Sequence, residues 1–411
     1  MNKDHSEHSE ATCYKLLFDP VPYSGGSKIA AREMLDLCKE SKVHISVLTS
    51  DTTSWNNNSS NRDLSVLYYS MPTFIHANTS GLGYWCKQII LLMILLFTLF
   101  KLRLNKQKVT TLIGISGPGV DLALYLCQFI AHYKVIQLIQ GPVAASRSIG
   151  YCLTKATKVF YLRSSKASII AAVERYFSAS LSATTARDFA LFHATGANLL
   201  PFDNGLNQQR WPTPCEYIDT HIFWAASLLK WKGLDTLLSA NKLIGNQLKL
   251  QFHICYIRPE QTSAEIVSAP QPNRGIHWYE KPTNLDEIRS RCSIFISTSQ
   301  KEPFGLSILE SLAAGLCVII PSDNAYWDQT LEEGVHCLKY QPNNPSSLAN
   351  TLRKLAYQPQ KIQKIGHAGQ QLAQNYHASI CYHHIVTEFT GSQTPPSVHQ
   401  SITRTEQRNS V

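Results

Sequence analysis

The chain has 411 residues, 44% apolar and 16% charged, with 20 Gly and 19 Pro. Those proportions exclude a disordered chain, a collagen-like fibre and a long coiled coil, and the length suggests two or three domains. The formal charge is +9, and the eleven Cys include no Cys-x-x-Cys pair. An odd, sparse cysteine set suits a reducing cytoplasm with buried free thiols, not a disulfide scaffold or a structural zinc site.

Residues 1–12 are polar and read as a disordered arm with no signal peptide. Tyr14–Pro20 is a short apolar run ending in a turn, and Gly25-Gly26 opens a helix through about Cys38. Val43–Thr49 reads as the next strand, and Asp51–Arg62, rich in Ser and Asn, as a loop. Strand-like runs return at Leu64–Tyr69, Val109–Ile115, Lys134–Gln140 and Lys158–Leu162, with helical stretches between. Strands alternating with helices predict a mainly parallel sheet covered on both faces.

Tyr84–Arg175 holds twelve basic residues against only Asp121 and Glu174, a local charge of +10. Such a stretch fits a phosphate-rich partner: anionic lipid, nucleic acid or a phosphorylated acceptor; the alternative is a solvated basic face. It lacks the aromatic interleaving of nucleic-acid modules, so no nucleic-acid partner is expected. Within it lies Ile89–Phe100, apolar except at Thr98, in a helix extending to 104. Twelve residues make about 18 Å of helix against about 30 Å of hydrocarbon. Three readings stay open: a single span, a core helix, and a helix lying in an anionic membrane surface with Trp85 and flanking Lys and Arg as anchors. The last two are compatible, and Leu92 and Leu96 are then the expected lipid-facing residues.

The first domain runs over 13–204, and a Pro-containing linker covers 205–217. A second series of the same kind fills 218–375, with strands expected at Ile218–Ala225, Leu248–Tyr256, Ile276–Trp278, Ser293–Ser297, Cys317–Ile320 and Cys337–Tyr340. A helix at 376–389 is able to return to the first domain, and 390–411 reads as a disordered tail. The fold class is therefore α/β, two Rossmann-like doubly wound domains facing across a cleft. Ligands of open α/β sheets sit beyond the carboxyl ends of the strands.

The most informative segment is Ser297–Pro321, STSQKEPFGLSILESLAAGLCVIIP. A buried strand leads to a loop holding Glu302, Pro303, Phe304 and Gly305, then to a helix from about Leu306 carrying Glu310. A helix N-terminus offers free N–H groups to phosphate, and Gly305 lets the backbone approach a ligand. Two carboxylates flanking that helix end suit hydroxyls on either side of a diphosphate, the layout of a nucleotide sugar. The 15 His show no metal spacing, and no phosphate loop or nucleophile elbow appears.

Glu302-x7-Glu310 in EPFGLSILE, followed by AAG and LCVIIP, resembles the signature of family 4 retaining glycosyltransferases. The likeness runs from about Leu16 to about Phe389 and is strongest over Ile276–Leu355. It implies the GT-B fold and a sugar moved from a UDP- or GDP-linked donor to a lipid-linked or growing glycan. That product belongs to surface polysaccharide, lipopolysaccharide or glycolipid synthesis, made by a cytoplasmic protein held peripherally at an anionic membrane surface. By resemblance, Glu302 contacts the donor sugar, Glu310 the ribose, and N–H groups around Phe304, Gly305 and Leu306 the diphosphate. Lys232, in LLKWKG, clamps the donor phosphates, and Gly25 and Gly26 form the glycine loop facing donor and acceptor. PFDNGL (Pro201–Leu206) resembles the family's Pro-Asn-Gly turn. No cofactor or metal is implied. The family usually has Arg where Ser227 stands, and Lys230 is the candidate to replace it. It often has His where Gln140 stands; Gln140 and Arg147 are expected on the acceptor side. A non-catalytic sugar-binding subunit and a nucleotide-sugar epimerase of the same fold remain as alternatives.

Overall fold

A computed structural model describes residues 13–391 except 24, 40, 42, 56–63, 77–79, 246–247, 260–263 and 274. The expected arm at 1–12, most of the expected tail and part of the Asp51–Arg62 loop lie outside the described residues. The chain divides into two units. The first holds the residues up to Tyr161, Ser165–Phe202 and those from His383 on; the second holds Leu162–Ser164 and Asp203–Tyr382.

The strands of the first unit are β1 (Cys13–Asp19), β2 (Val43–Thr49), β3 (Ser65–Tyr68), β4 (Val109–Gly114), β5 (Lys134–Ile139), β6 (Lys158–Leu162) and β7 (Leu199–Phe202). They form one sheet in the order β3-β2-β1-β4-β5-β6-β7, with β1 to β6 paired in parallel. The helices between them are α1 (Gly26–Asp36), α2 (Thr73–His76), α3 (Gly81–Leu104), α4 (Leu122–Cys127), α5 (Arg147–Lys155), α6 (Lys166–Phe177) and α7 (Ala183–Ala194). Apolar runs such as Leu16–Phe18 and Leu112–Ile113 are fully buried, as parallel strands covered on both faces must be. β7 is too short, and too interrupted by Pro201, to stand out in the sequence.

α3 is twice as long as its apolar run, 24 residues, or about 36 Å. Its length therefore suffices to cross a bilayer, contrary to the arithmetic on residues 89–100. Its packing says something else. Leu91, Leu95, Leu99 and Leu102 belong to the core of the unit. Tyr84 Oη donates to Gly119 O at 2.8 Å, and Gln88 Oε1 accepts from Ala123 N at 3.1 Å. The opposite face exposes Leu82, Trp85, Ile89, Met93, Phe97, Phe100 and Leu104. Leu92 and Leu96 are half-buried against the core, so they are not the outward residues. Lys87 is also drawn inward, donating to His76 O at 2.9 Å.

Polar residues fill the carboxyl ends of β1, β2 and β4. Lys28 Nζ lies 2.9 Å from Asp19 and 2.6 Å from Asp51, all three buried. Trp55 Nε1 and Thr49 Oγ1 also donate to Asp19. Burial raises the Asp51 carboxyl, but bonds from Lys28, Ser54 and Thr53 outweigh it and hold it well below the usual range. Asp121, just before α4, differs. Its Oδ2 accepts from Ser116 N and Gln137 Nε2, while Oδ1 is buried with no partner. Burial pushes its carboxyl up to about 8.

The second unit repeats the plan with β8 (His221–Ser227), α8 (Leu234–Ile244), β9 (Gln251–Ile257), β10 (Ile276–Glu280), α9 (Leu285–Ser290), β11 (Ile294–Ile296), α10 (Leu306–Ala313), β12 (Cys317–Pro321), α11 (Tyr326–Thr330), β13 (Cys337–Tyr340), α12 (Pro345–Leu355), α13 (Pro359–Ala373) and α14 (Ala378–Cys381). The sheet order is β10-β9-β8-β11-β12-β13, all parallel. The final helix α15 (His383–Thr390) belongs to the first unit, where Lys15 Nζ donates to Glu388 O at 2.8 Å.

Two boundaries differ from expectation. Residues 205–217 are not a free linker: Cys215 N donates to Ala314 O, Glu216 N to Ser290 O, and Thr213 to Asp286. Residues 376–382 stay with the second unit, because Leu206 pairs with Tyr376 and Ala378, and Tyr382 Oη bonds Asn204 and Gly205. Only the segment from His383 on returns.

Asp121 generates a stability test. Its pKa in the folded protein lies above that of the unfolded chain, so the native state holds a proton that the unfolded state has released. Stability from this group therefore falls as pH rises from about 4 toward 8. Urea unfolding between pH 6.5 and 8 should show that decline in the parent and a shallower one in Asp121→Asn. Equal slopes would mean Asp121 is ionised in the fold.

Candidate functional site

The second unit brings two loops together at the carboxyl ends of its strands. After β8, a tight turn covers Lys230–Lys232, and the chain turns through Gly233 into α8. Gly233 has φ +72°, and a Cβ there would stand 2.1 Å from Thr298 O. Only glycine meets both conditions. Thr298, just past β11, stitches the two loops: its Oγ1 accepts from Trp224 Nε1 at 2.9 Å and donates to Lys232 O at 2.8 Å. Gln300 N donates to Trp231 O at 2.8 Å.

This contact sets Lys232 against Glu302, and the two form an ion pair with both side chains mostly buried. Lys232 Nζ also lies 4.0 Å from the Trp231 ring centroid, a cation–π arrangement. The sequence places these residues 70 apart; the shared position at the strand ends unites them.

From Glu302 the chain passes Phe304 and turns at Gly305 (φ +79°), where a Cβ would meet Glu302 Cγ at 2.8 Å. The Phe304 ring is buried against Tyr326, Trp327 and Tyr376, which anchors the loop. α10 starts at Leu306, and Ile308 and Leu309 N–H groups donate to Gly305 O. The N–H groups of Gly305, Leu306 and Ser307 have no acceptor among the described residues. Glu310 lies one turn on, and Arg289 Nη1 donates to its Oε2 at 2.9 Å. Arg289 is a residue the sequence did not mark. It lies on α9 and is 5% exposed.

Other expected residues fall elsewhere. Lys230 is exposed and paired with Glu265 at 2.5 Å, with Lys230 N donating to Glu265 O. The interaction with Glu265 raises the Lys230 pKa. Lys230 thus pairs with Glu265, whereas Lys232 pairs with Glu302. Gly25, Gly26, Gln140 and Arg147 belong to the first unit. Gly25 precedes α1 in extended backbone, and Gln140 Nε2 donates to Ser27 O at 2.9 Å, tying the end of β5 to that turn. Arg147 is exposed at the first position of α5, whose cap Ser146 accepts from Ile149 N. Among the described residues no three His, Cys, Asp or Glu side chains are grouped to hold a metal.

Residues 218–372 match the family model of glycosyl transferases group 1. No curated protein matches the sequence. Solved structures similar to the chain include Alr3699/HepE of Anabaena in complex with UDP and glucose, at 14% identity over 92% of this chain and 100% of that one, with TM-score 0.63. Sucrose-phosphate synthase of Thermosynechococcus elongatus is similar at 14% identity, 92% and 97% coverage and TM-score 0.63. The lipopolysaccharide outer core galactosyltransferase WaaB is similar at 12% identity, 91% and 98% coverage and TM-score 0.55. The fold is therefore GT-B, two Rossmann-like units, and with the matched region it supports a glycosyltransferase.

The Gly233 approach can be measured. Gly233→Ala combines an unfavourable φ with a backbone clash and should cost about 3 kcal/mol. Gly334→Ala, at φ +79° with nothing within 4 Å, should cost only about 1–2 kcal/mol. Similar losses on chemical denaturation would mean that the two loops do not approach this closely.

Proposed function

We propose that the protein is a retaining, metal-independent family 4 glycosyltransferase. It moves a sugar from a UDP- or GDP-linked donor to a lipid-linked or growing glycan. One observation carries the reading: Lys232 and Glu302 meet beside the open N-terminus of α10, inside the stretch that matches glycosyl transferases group 1. The UDP held by Alr3699/HepE and the lipopolysaccharide acceptor class in the name of WaaB agree with it.

The chemistry follows from charge. The donor diphosphate takes the N–H groups of Gly305, Leu306 and Ser307 as hydrogen-bond donors, helped by the positive end of α10. Lys232 exchanges Glu302 for phosphate oxygen, and Glu302 is released to accept from the sugar hydroxyls. As the bond from the anomeric carbon to the diphosphate oxygen breaks, negative charge grows where Lys232 is already placed. The acceptor oxygen bonds to that carbon on the face the diphosphate leaves, and its proton passes to a phosphate oxygen. With Ser227 in place of arginine and Lys230 engaged by Glu265, Lys232 carries the cationic part of this stabilisation.

The same reading puts the protein at the cytoplasmic face of the membrane, held peripherally. α3 supports it: a stripe from Leu82 to Leu104 is exposed and apolar, with Lys101, Arg103, Lys106 and Lys108 exposed at its end. A patch of this kind is unusual on a soluble surface and suits a helix lying in the headgroup region. The inner face is part of the core, and a spanning arrangement would strip it from β4 and α4.

Two measurements test the proposal. Lys232→Ala should lose about 10²–10³ in kcat, whereas Lys230→Ala should stay near the parent. A folded Lys232→Ala that transfers sugar at the parent rate would overturn the assigned site. In flotation with anionic vesicles, the parent should bind and weaken with salt, each surface Lys or Arg contributing about 1 kcal/mol. Met93→Glu with Phe97→Glu should remove the salt-resistant part. Unchanged binding would place the contact elsewhere.

A further inference from the structure

Arg289 is a buried cation whose guanidinium is held on two sides. Nη1 donates to Glu310 Oε2 at 2.9 Å, and Nη2 donates to Asp286 Oδ1 at 2.5 Å. Its Nε is buried with no partner. Asp286 is itself fixed, accepting from Thr213 N at 3.2 Å and from Thr213 Oγ1 at 2.6 Å. Four residues from three parts of the second unit thus form one chain: Thr213, Asp286, Arg289, Glu310.

Burying a guanidinium is costly, and the cost is offset only when its partners are well placed. Arginine's planar fork has a geometric use that lysine's single ammonium lacks. Here it grips one oxygen of Glu310 and fixes the carboxylate plane. A carboxylate accepts hydrogen bonds and donates none. The other oxygen, Oε1, makes no hydrogen bond among the described residues. Ribose hydroxyls need an acceptor of this kind, held still.

We infer that Arg289 is a positioning residue: it sets the orientation of Glu310, so that the site reads the ribose hydroxyls and prefers ribonucleotides over 2′-deoxyribonucleotides. The inference rests on the proposed donor site, in which Glu310 receives the ribose. Asp286 and Thr213 support Arg289 from the side away from Glu310. The discrimination therefore depends partly on residues 205–217, which pack against α9.

The test is calorimetric binding of UDP, GDP and their 2′-deoxy forms to the full chain, with the tighter-binding base used throughout. The parent should favour the ribo form about tenfold or more, since the lost hydrogen bond goes to a charged group. Glu310→Ala should bring the two forms within about threefold. Arg289→Met should do the same, while still binding inorganic pyrophosphate as the parent does. Arg289→Lys, which keeps the buried charge and guards against misfolding of the Met variant, should show an intermediate ratio. Folded Arg289→Met or Arg289→Lys with the parent's ratio would overturn the positioning role. No preference in the parent, or an unchanged ratio in Glu310→Ala, would overturn the assignment of Glu310 to ribose. A merely structural role for Arg289 would weaken all ligands alike and leave the ratio where it was.

Discussion

The second unit is organised around one close approach, the backbone of Gly233 against the carbonyl of Thr298. Because no side chain intervenes, the turn after β8 rests on the end of β11. Lys232, one residue before, then projects at Glu302, four residues after Thr298. Parallel strands put their loops at one edge by topology alone, but only glycine brings these two loops into contact. Gly305 repeats the device with Glu302 Cγ beneath it. The cation, the carboxylate and the helix N-terminus thus owe their proximity to two residues that have no chemistry of their own.

Each unit also carries buried charge that is satisfied almost wholly from within. In the first, Lys28 sits between Asp19 and Asp51; in the second, Arg289 joins Asp286 to Glu310. Such pairs add little net stability relative to a well-packed apolar substitute, but removing one partner leaves the other charge uncompensated. Both sets tie helices to segments far apart in sequence.

α3 shows the opposite economy. An amphipathic helix of a soluble domain turns its polar face outward; here the inner face is apolar and the outer face, through Ile89, Met93 and Phe97, is apolar too. Fold stability explains the inner face. Among the described residues nothing in the unit covers the outer face.

The sequence by itself determined the class of fold. Buried parallel strands must read as continuous apolar runs, and those runs survive without knowledge of their neighbours. It also marked Glu302, Gly305 and Glu310, since a helix start after a buried strand is a local pattern; Lys232 was marked by family resemblance alone. Tertiary structure alone decided what these residues face. Arg289 was not marked in the sequence, and α9 packs it inside; Lys230, the candidate to replace an arginine at Ser227, pairs with Glu265. The length of α3 and its outward residues were likewise invisible, because a wholly apolar run has no polar side to show which way it faces. Local propensity is written residue by residue, whereas burial and pairing are properties of segments far apart in sequence, and only the folded chain brings them into one place.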